Sequence, residues 1–177
     1  PSLANDSSDG SDAPLHHMID RLIGDTGSGI CSDAEFLRRV SLDLTGMPPT
    51  ADELQEFLAD TSPEKRTATI DRLLESVRYP RHWAGVLDVM LMERRAARNI
   101  KQEDWIAYFL QSVAEDKPFN QLAREILSAS GNESEPRAAA RFYLDRESEP
   151  NLITRDIGRI FLGRDLQCAQ CHDHPLI

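Results

Sequence analysis

A chain of 177 residues with 40% hydrophobic side chains has enough apolar material for one domain with a real core. Its 30 acidic residues outnumber 20 basic ones, giving a formal charge of −10, which argues against a nucleic-acid partner bound through Lys and Arg. No apolar run approaches the ~18 residues of a membrane-spanning helix, so no direct membrane insertion is expected of this segment.

Residues 1–12 are rich in Ser and Asp and lack hydrophobic periodicity, so they read as a flexible acidic lead-in to a helical domain over 13–177. A short helix is predicted from Pro14 to Ile23, ended by Gly24. Ser32-Asp33-Ala34-Glu35 has the capping-box pattern, in which a hydroxyl takes an orphan amide and the Glu reaches back. Phe36, Leu37, Val40 and Leu44 then share one face, and Gly46 stops that helix ahead of Pro48-Pro49. Thr50-Ala51-Asp52-Glu53 repeats the cap and opens a helix through Phe57 and Leu58. Ser62-Pro63 predicts another start, with Ile70, Leu73, Leu74 and Val77 as the buried stripe and Tyr79-Pro80 as the break.

A longer helix is expected from Arg81 to Ala97, with Trp83, Val86, Leu87, Met90 and Leu91 inward. Gln102 to Glu115 and Pro118 to Ser130 follow as helices, the second closed by Gly131. The polar stretch 132–150 reads as a surface connection with one helical turn near Arg137 to Tyr143. A last helix over Pro150 to Leu162 is closed by Gly163. No stretch shows strand alternation, so the fold class is all-α: an irregular multi-helix bundle with short loops and a C-terminal Cys/His loop.

The chemistry is concentrated in that loop. Cys168-Ala169-Gln170-Cys171-His172 is a C-x-x-C-H run, followed by Asp173-His174-Pro175. Three Cys and five His in this length produce such a run by chance roughly once in a thousand chains. The spacing is that of covalent haem c attachment: two thiols bond the two vinyl groups of one porphyrin, and the adjoining imidazole serves as an axial iron ligand. Cys168 and Cys171 are thus the attachment points and His172 the proximal ligand. A second axial ligand is open among Met18, Met47, Met90 and Met92 and among His16, His17, His82 and His174. The alternative is zinc on Cys168, Cys171, His172 and His174, a suitable donor set, although four donors within seven residues close poorly around one ion. A redox dithiol would want a strand–helix setting that the all-α reading does not offer.

Three blocks together resemble a known family. They are Phe36 to Thr50 (FLRRVSLDLTGMPPT), Asp71 to Tyr79 with Trp83, and Phe161 to Pro175 (FLGRDLQCAQCHDHP). In this order and spacing they are similar to the planctomycete cytochrome-c-associated domain of unknown function (domain of unknown function 1549) over residues 15 to 177. The resemblance implies an exported, extracytoplasmic protein truncated at its C-terminal end. It implies as partners an electron-transfer protein or adjoining domains of one polypeptide, and it supplies no established activity. The stretch after Trp83 departs from the family pattern by lacking its His-Trp and Arg-Tyr-Ala-Asp elements.

No phosphate loop, G-x-S-x-G, HExxH or dinucleotide fingerprint occurs, so no enzymatic activity is assigned. Asp43, Asp71, Asp88, Asp104 and Asp156 fall on predicted helices and read as solvated or ion-paired side chains, and Arg94-Arg95 as a surface pair. Cys31 reads as a small buried thiol and Trp83 and Trp105 as core aromatics.

Overall fold

A computed structural model describes residues 14–24, 29–130 and 137–167. The chain divides into two units, Pro1–Ser32 and Asp33–Ile177. The described residues hold helices and turns but no strand, so the fold is all-α as the periodicity predicts. None of the described helices is long and apolar enough to cross a membrane. The lead-in at 1–12 lies outside the described residues.

In the first unit α1 spans Leu15–Ile23. Leu15, Met18, Ile19, Leu22 and Ile23 fall at helical spacing and are all exposed. Gly24 ends the helix at φ 69°, donating its N–H to the Asp20 carbonyl at 3.0 Å.

In the second unit the helices are α2 (Asp33–Thr45), α3 (Ala51–Ala59), α4 (Lys65–Leu74), α5 (Arg78–Met92), α6 (Gln102–Ala114) and α7 (Phe119–Ser128). A 3-10 turn at Arg137–Ala140 then leads into α8 (Arg141–Leu144), and α9 runs over Pro150–Phe161. The cap before α3 forms as its sequence demands: Glu53 N–H donates to Thr50 Oγ1 at 3.2 Å and Thr50 N–H to Glu53 Oε2 at 2.7 Å. Gly46 ends α2 at φ 69°, a left-handed conformation that glycine adopts without penalty.

Helix α5 is the hub, packing on α6, α2 and α4. The main core joins Ala84, Leu87, Leu91 and Met92 of α5 to Trp105, Tyr108 and Phe109 of α6, with Leu122, Ile126, Ala139 and Phe142 closing it. Trp105 meets Phe109 edge to face at 4.5 Å, the arrangement aromatic quadrupoles favour. A smaller apolar group of Leu37, Phe57 and Leu73 lies in α2, α3 and α4. Each such side chain contributes about 1.5–3 kcal/mol on burial.

Several expectations are corrected here. Tyr79-Pro80 does not break α4; α4 ends at Leu74, and Pro80 sits in the first turn of α5, where its missing N–H costs nothing. Helix α5 stops at Met92 and not Ala97, because Glu93 and Arg94 take left-handed conformations (φ 49° and 63°). Its inward face uses Ala84 and Met92, whereas Val86 and Met90 are exposed and Trp83 is half-buried. Leu74 and Val77, expected in the buried stripe of α4, are exposed. Helix α4 begins at Lys65, after a turn in which Ser62 Oγ accepts from Glu64 N–H at 3.2 Å. The largest correction is the connection before α9. Residues 131–136 lie outside the described residues, but Ala139 to Phe142, Asp145 and Arg146 are core and not surface.

Candidate functional site

Helix α9 is what brings the chain to the Cys/His motif. Pro150 stands in its first turn and Glu149 accepts from Asn151 N–H at 3.4 Å. Ile157, Ile160 and Phe161 pack on the main core. At its end Leu162 N–H and Arg164 N–H both donate to the Gly158 carbonyl, at 3.2 and 2.8 Å, with Gly163 at φ 62° making the turn. Leu166 then lies back on the helix at Gly158, where an added Cβ would stand 2.9 Å from Leu166 Cδ1 and 3.0 Å from the Arg164 carbonyl oxygen. Any larger residue at 158 would force Leu166 and the Arg164 carbonyl to shift. Gln167 N–H donates to Asp165 Oδ1 at 3.0 Å, the last contact before the motif.

Cys168, Cys171, His172 and His174 lie outside the described residues, as does the C-terminal Cys/His loop. Of the candidate second ligands, Met92 is fully buried with its sulfur 3.5 Å from Arg146 Nη1. Met90 is exposed and lines an apolar hollow of about 300 Å³ with Trp83, Val86, Phe119 and Leu122. Met47 is exposed, and His82 packs against Gly46. Met18 is exposed on α1, where His16 and His17 also lie. Cys31 is half-buried. Among the described residues no three His, Cys, Asp or Glu side chains gather as a metal site.

The densest polar chemistry in the described chain was not anticipated. Arg146, fully buried, donates from Nε to Asp156 Oδ2, from Nη1 to the Phe142 carbonyl and from Nη2 to the Leu91 carbonyl, each at 2.7 Å. Its guanidinium lies 4.0 Å from the centre of the Phe142 ring. Arg141, also buried, donates to Asp145 Oδ2 at 2.9 Å, to Gln102 Oε1 at 2.6 Å and to the Arg95 carbonyl at 3.2 Å. Asn99 N–H and Nδ2 donate to Asp145 Oδ1 at 2.9 and 3.1 Å. Asp156 takes a further hydrogen bond from Arg155 Nε at 2.7 Å, and Arg95 Nη2 stands 3.6 Å away. Arg159 on α9 pairs with Glu93 at the end of α5.

Burial pushes the Asp156 carboxyl up, but hydrogen bonds and charge from Arg155 and Arg146 outweigh it and hold the group below its ordinary value. Asp145 behaves alike: burial opposes, and Asn99 and Arg141 prevail. Tyr108 titrates well above its usual range because it is buried and donates to Glu125 at 2.7 Å, where Lys117 also lies at 2.7 Å.

Asp156 is thus ion-paired as expected, but on a buried face and not a solvated one, while Asp43, Asp71 and Asp104 are exposed. Asp88 is half-buried, accepting from Trp105 Nε1 at 2.9 Å and Gln102 Nε2 at 3.1 Å. Arg141 and Asp145 stand four apart beside an Ala-rich apolar run. That spacing was the sequence signal available for this network. Its geometry is that of a clamp: each buried charge of the network has a hydrogen-bonded opposite.

No curated protein and no solved structure matches this chain. A family model does, over residues 24–176, a span that contains α2 to α9 and runs through the whole Cys/His motif. The chain therefore belongs to the PSCyt2 family, proteins of unknown function (DUF1549).

Proposed function

We propose that this chain is a c-type-haem-binding domain that serves electron transfer outside the cytoplasm. The observation that carries the reading is the run Cys168-Ala169-Gln170-Cys171-His172, five residues beyond the glycine that ends α9. The donor chemistry fits the group: two thiols at the spacing of two vinyl positions, and one imidazole adjoining the second. Cys168 and Cys171 would anchor the haem through thioether bonds and His172 would hold its iron. When bound, haem supplies a one-electron carrier whose potential depends on its axial ligands and on the polarity around it. The residues that lead into the motif are helix α9, packed on the core, and the turn that Leu166 seats on Gly158.

The reading of the chain as an exported planctomycete protein rests on the three sequence blocks that accompany the motif. Its partner would be an electron-transfer protein or an adjoining domain of the same polypeptide. The net charge of −10 opposes a nucleic-acid partner.

The test is expression in a periplasm equipped for haem attachment, followed by a visible spectrum under denaturing conditions. A haem band that survives denaturation is expected, and the double variant Cys168→Ala, Cys171→Ala should abolish it. A colourless protein carrying stoichiometric zinc would overturn the proposal in favour of a non-redox helical scaffold with Cys168, Cys171, His172 and His174 as donors.

A further inference from the structure

A cleft of about 410 Å³ opens between the loop after α5 and the loop before α9. Arg95 and Arg98 line it from the first loop, and Arg146, Glu147 and Glu149 from the second. Both loops hold strained backbone. Glu93 and Arg94 in one, and Glu147 and Ser148 (φ 56° and 52°) in the other, are four of the five non-glycine residues at positive φ among the described residues. Such positions are costly and gather at ligand clamps and active sites.

The charges in the cleft differ in how well they are satisfied. Arg146 spends its guanidinium on Asp156 and two carbonyls. Asp145 is filled by Asn99 and Arg141. Glu147 holds Arg98 at 2.7 Å, and Glu149 caps α9. Arg95 is different. Its Nε is shielded from solvent and has no hydrogen-bond partner. Its Nη2 stands 3.6 Å from both Glu93 Oε2 and Asp156 Oδ2, beyond good hydrogen-bond length. Its side chain is 28% exposed, so the group is not sealed in the core.

We propose that this cleft binds a small monocarboxylate through Arg95. The two oxygens of a carboxylate match the planar fork of a guanidinium. Turning the side chain away from Glu93 and Asp156 brings Nε and one Nη onto the ligand, which replaces two long contacts and satisfies an N–H that otherwise has no partner. The ligand carries a single charge because Glu147 and Glu149 repel a second one. Ala96 and Leu152 supply a short apolar wall for an alkyl body.

Titration of the full 15N-labelled chain with sodium butyrate, at ionic strength held constant with sodium chloride, tests this. The Arg95 Nε–Hε resonance is expected to shift saturably with butyrate and not with chloride. Arg95→Gln is expected to weaken binding at least roughly tenfold while keeping a cooperative thermal transition. Arg98→Gln, which removes only the exposed pair with Glu147, should weaken it no more than roughly threefold. The absence of a saturable shift in the unaltered chain overturns the proposal even if Arg95→Gln fails to fold. Unchanged affinity in a folded Arg95→Gln overturns it too, and inorganic phosphate binding as tightly as butyrate overturns the assignment to a monocarboxylate.

Discussion

Replacing Asp156 with Ala should be among the most damaging single changes outside the apolar core. The side chain is 0% exposed, and its loss leaves Arg146, equally buried, without a counter-charge. Removing one partner of a buried pair costs about 3–5 kcal/mol. Arg155 and Arg95 also lose their carboxylate here and are left as like charges around the vacancy, so about 4 kcal/mol is expected. Against a total stability of about 5–15 kcal/mol, that change brings the domain near its limit. It corresponds to a melting temperature lower by roughly 8–16 °C. Arg155→Ala is the control: its side chain is 24% exposed, and it should cost no more than about 1 kcal/mol. Urea unfolding at neutral pH measures both. The pairing Arg146→Met with Asp156→Leu should recover much of the loss, since a packed apolar pair needs no desolvated charge. Acid provides a second readout. A carboxyl held below its unfolded value of about 3.9 stabilises the fold above that pH. That contribution disappears as pH falls through the lower, folded value, so Asp156→Asn should flatten the acid limb below about pH 4. The reasoning is refuted if Asp156→Ala costs less than about 1 kcal/mol, or no more than Arg155→Ala.

Gly46→Ala should destabilise the chain by about 2 kcal/mol in the same assay, because alanine resists a left-handed φ and its Cβ would collide with the His82 imidazole. Adding His82→Ala should relieve the steric part and leave about 1 kcal/mol of backbone cost. Thr50→Ala breaks the capping box before α3 and should cost about 1 kcal/mol, read as a lower urea midpoint with unchanged slope.

The elements that could be read from the sequence are those fixed by local chemistry. Thr50 and Glu53 name their own hydrogen bonds, and Gly46 and Gly163 mark turns that other residues resist. Helix α5 was harder because it is apolar nearly all round. Trp83, Val86, Val89 and Met90 offer one stripe, and Leu87, Leu91 and Met92 another. The second stripe is the inward one, because Ala84 is small enough to let α5 lie close on its neighbours. Periodicity cannot choose between two apolar stripes; a small residue in one of them can. Pro80 misled for a related reason, since proline both ends helices and opens them, and only the residues packed around Arg78 to Met92 decide between the two. The motif itself was plain in the sequence, whereas the seat behind it was not. Gly158 looks like any helical glycine until Leu166 is found lying against it.

The buried arginines were illegible for a deeper reason, and that reason bears on how α9 is held. A segment such as Arg141 to Glu149 is polar by composition, and polarity ordinarily means solvent. Its Arg141, Asp145 and Arg146 enter the core because each meets a hydrogen-bonding partner from a distant part of the chain: Arg146 from Asp156, Asp145 from Asn99, and Arg141 from Gln102 and the Arg95 carbonyl. No local pattern encodes partners 10 to 46 residues away. Those partners also supply what apolar packing lacks. Ile157, Ile160 and Phe161 bury against the core, but such contacts are non-directional and tolerate rotation of a twelve-residue helix about its axis. The Asp156 bond to Arg146, which itself donates to the Leu91 carbonyl of α5, is directional, and with Arg159 on Glu93 it fixes both the rotation and the register of α9 against α5. One helical turn beyond Arg159 the chain reverses at Gly163 and lies on Gly158. The ion pairs therefore fix the direction in which the backbone leaves α9 as far as Gln167.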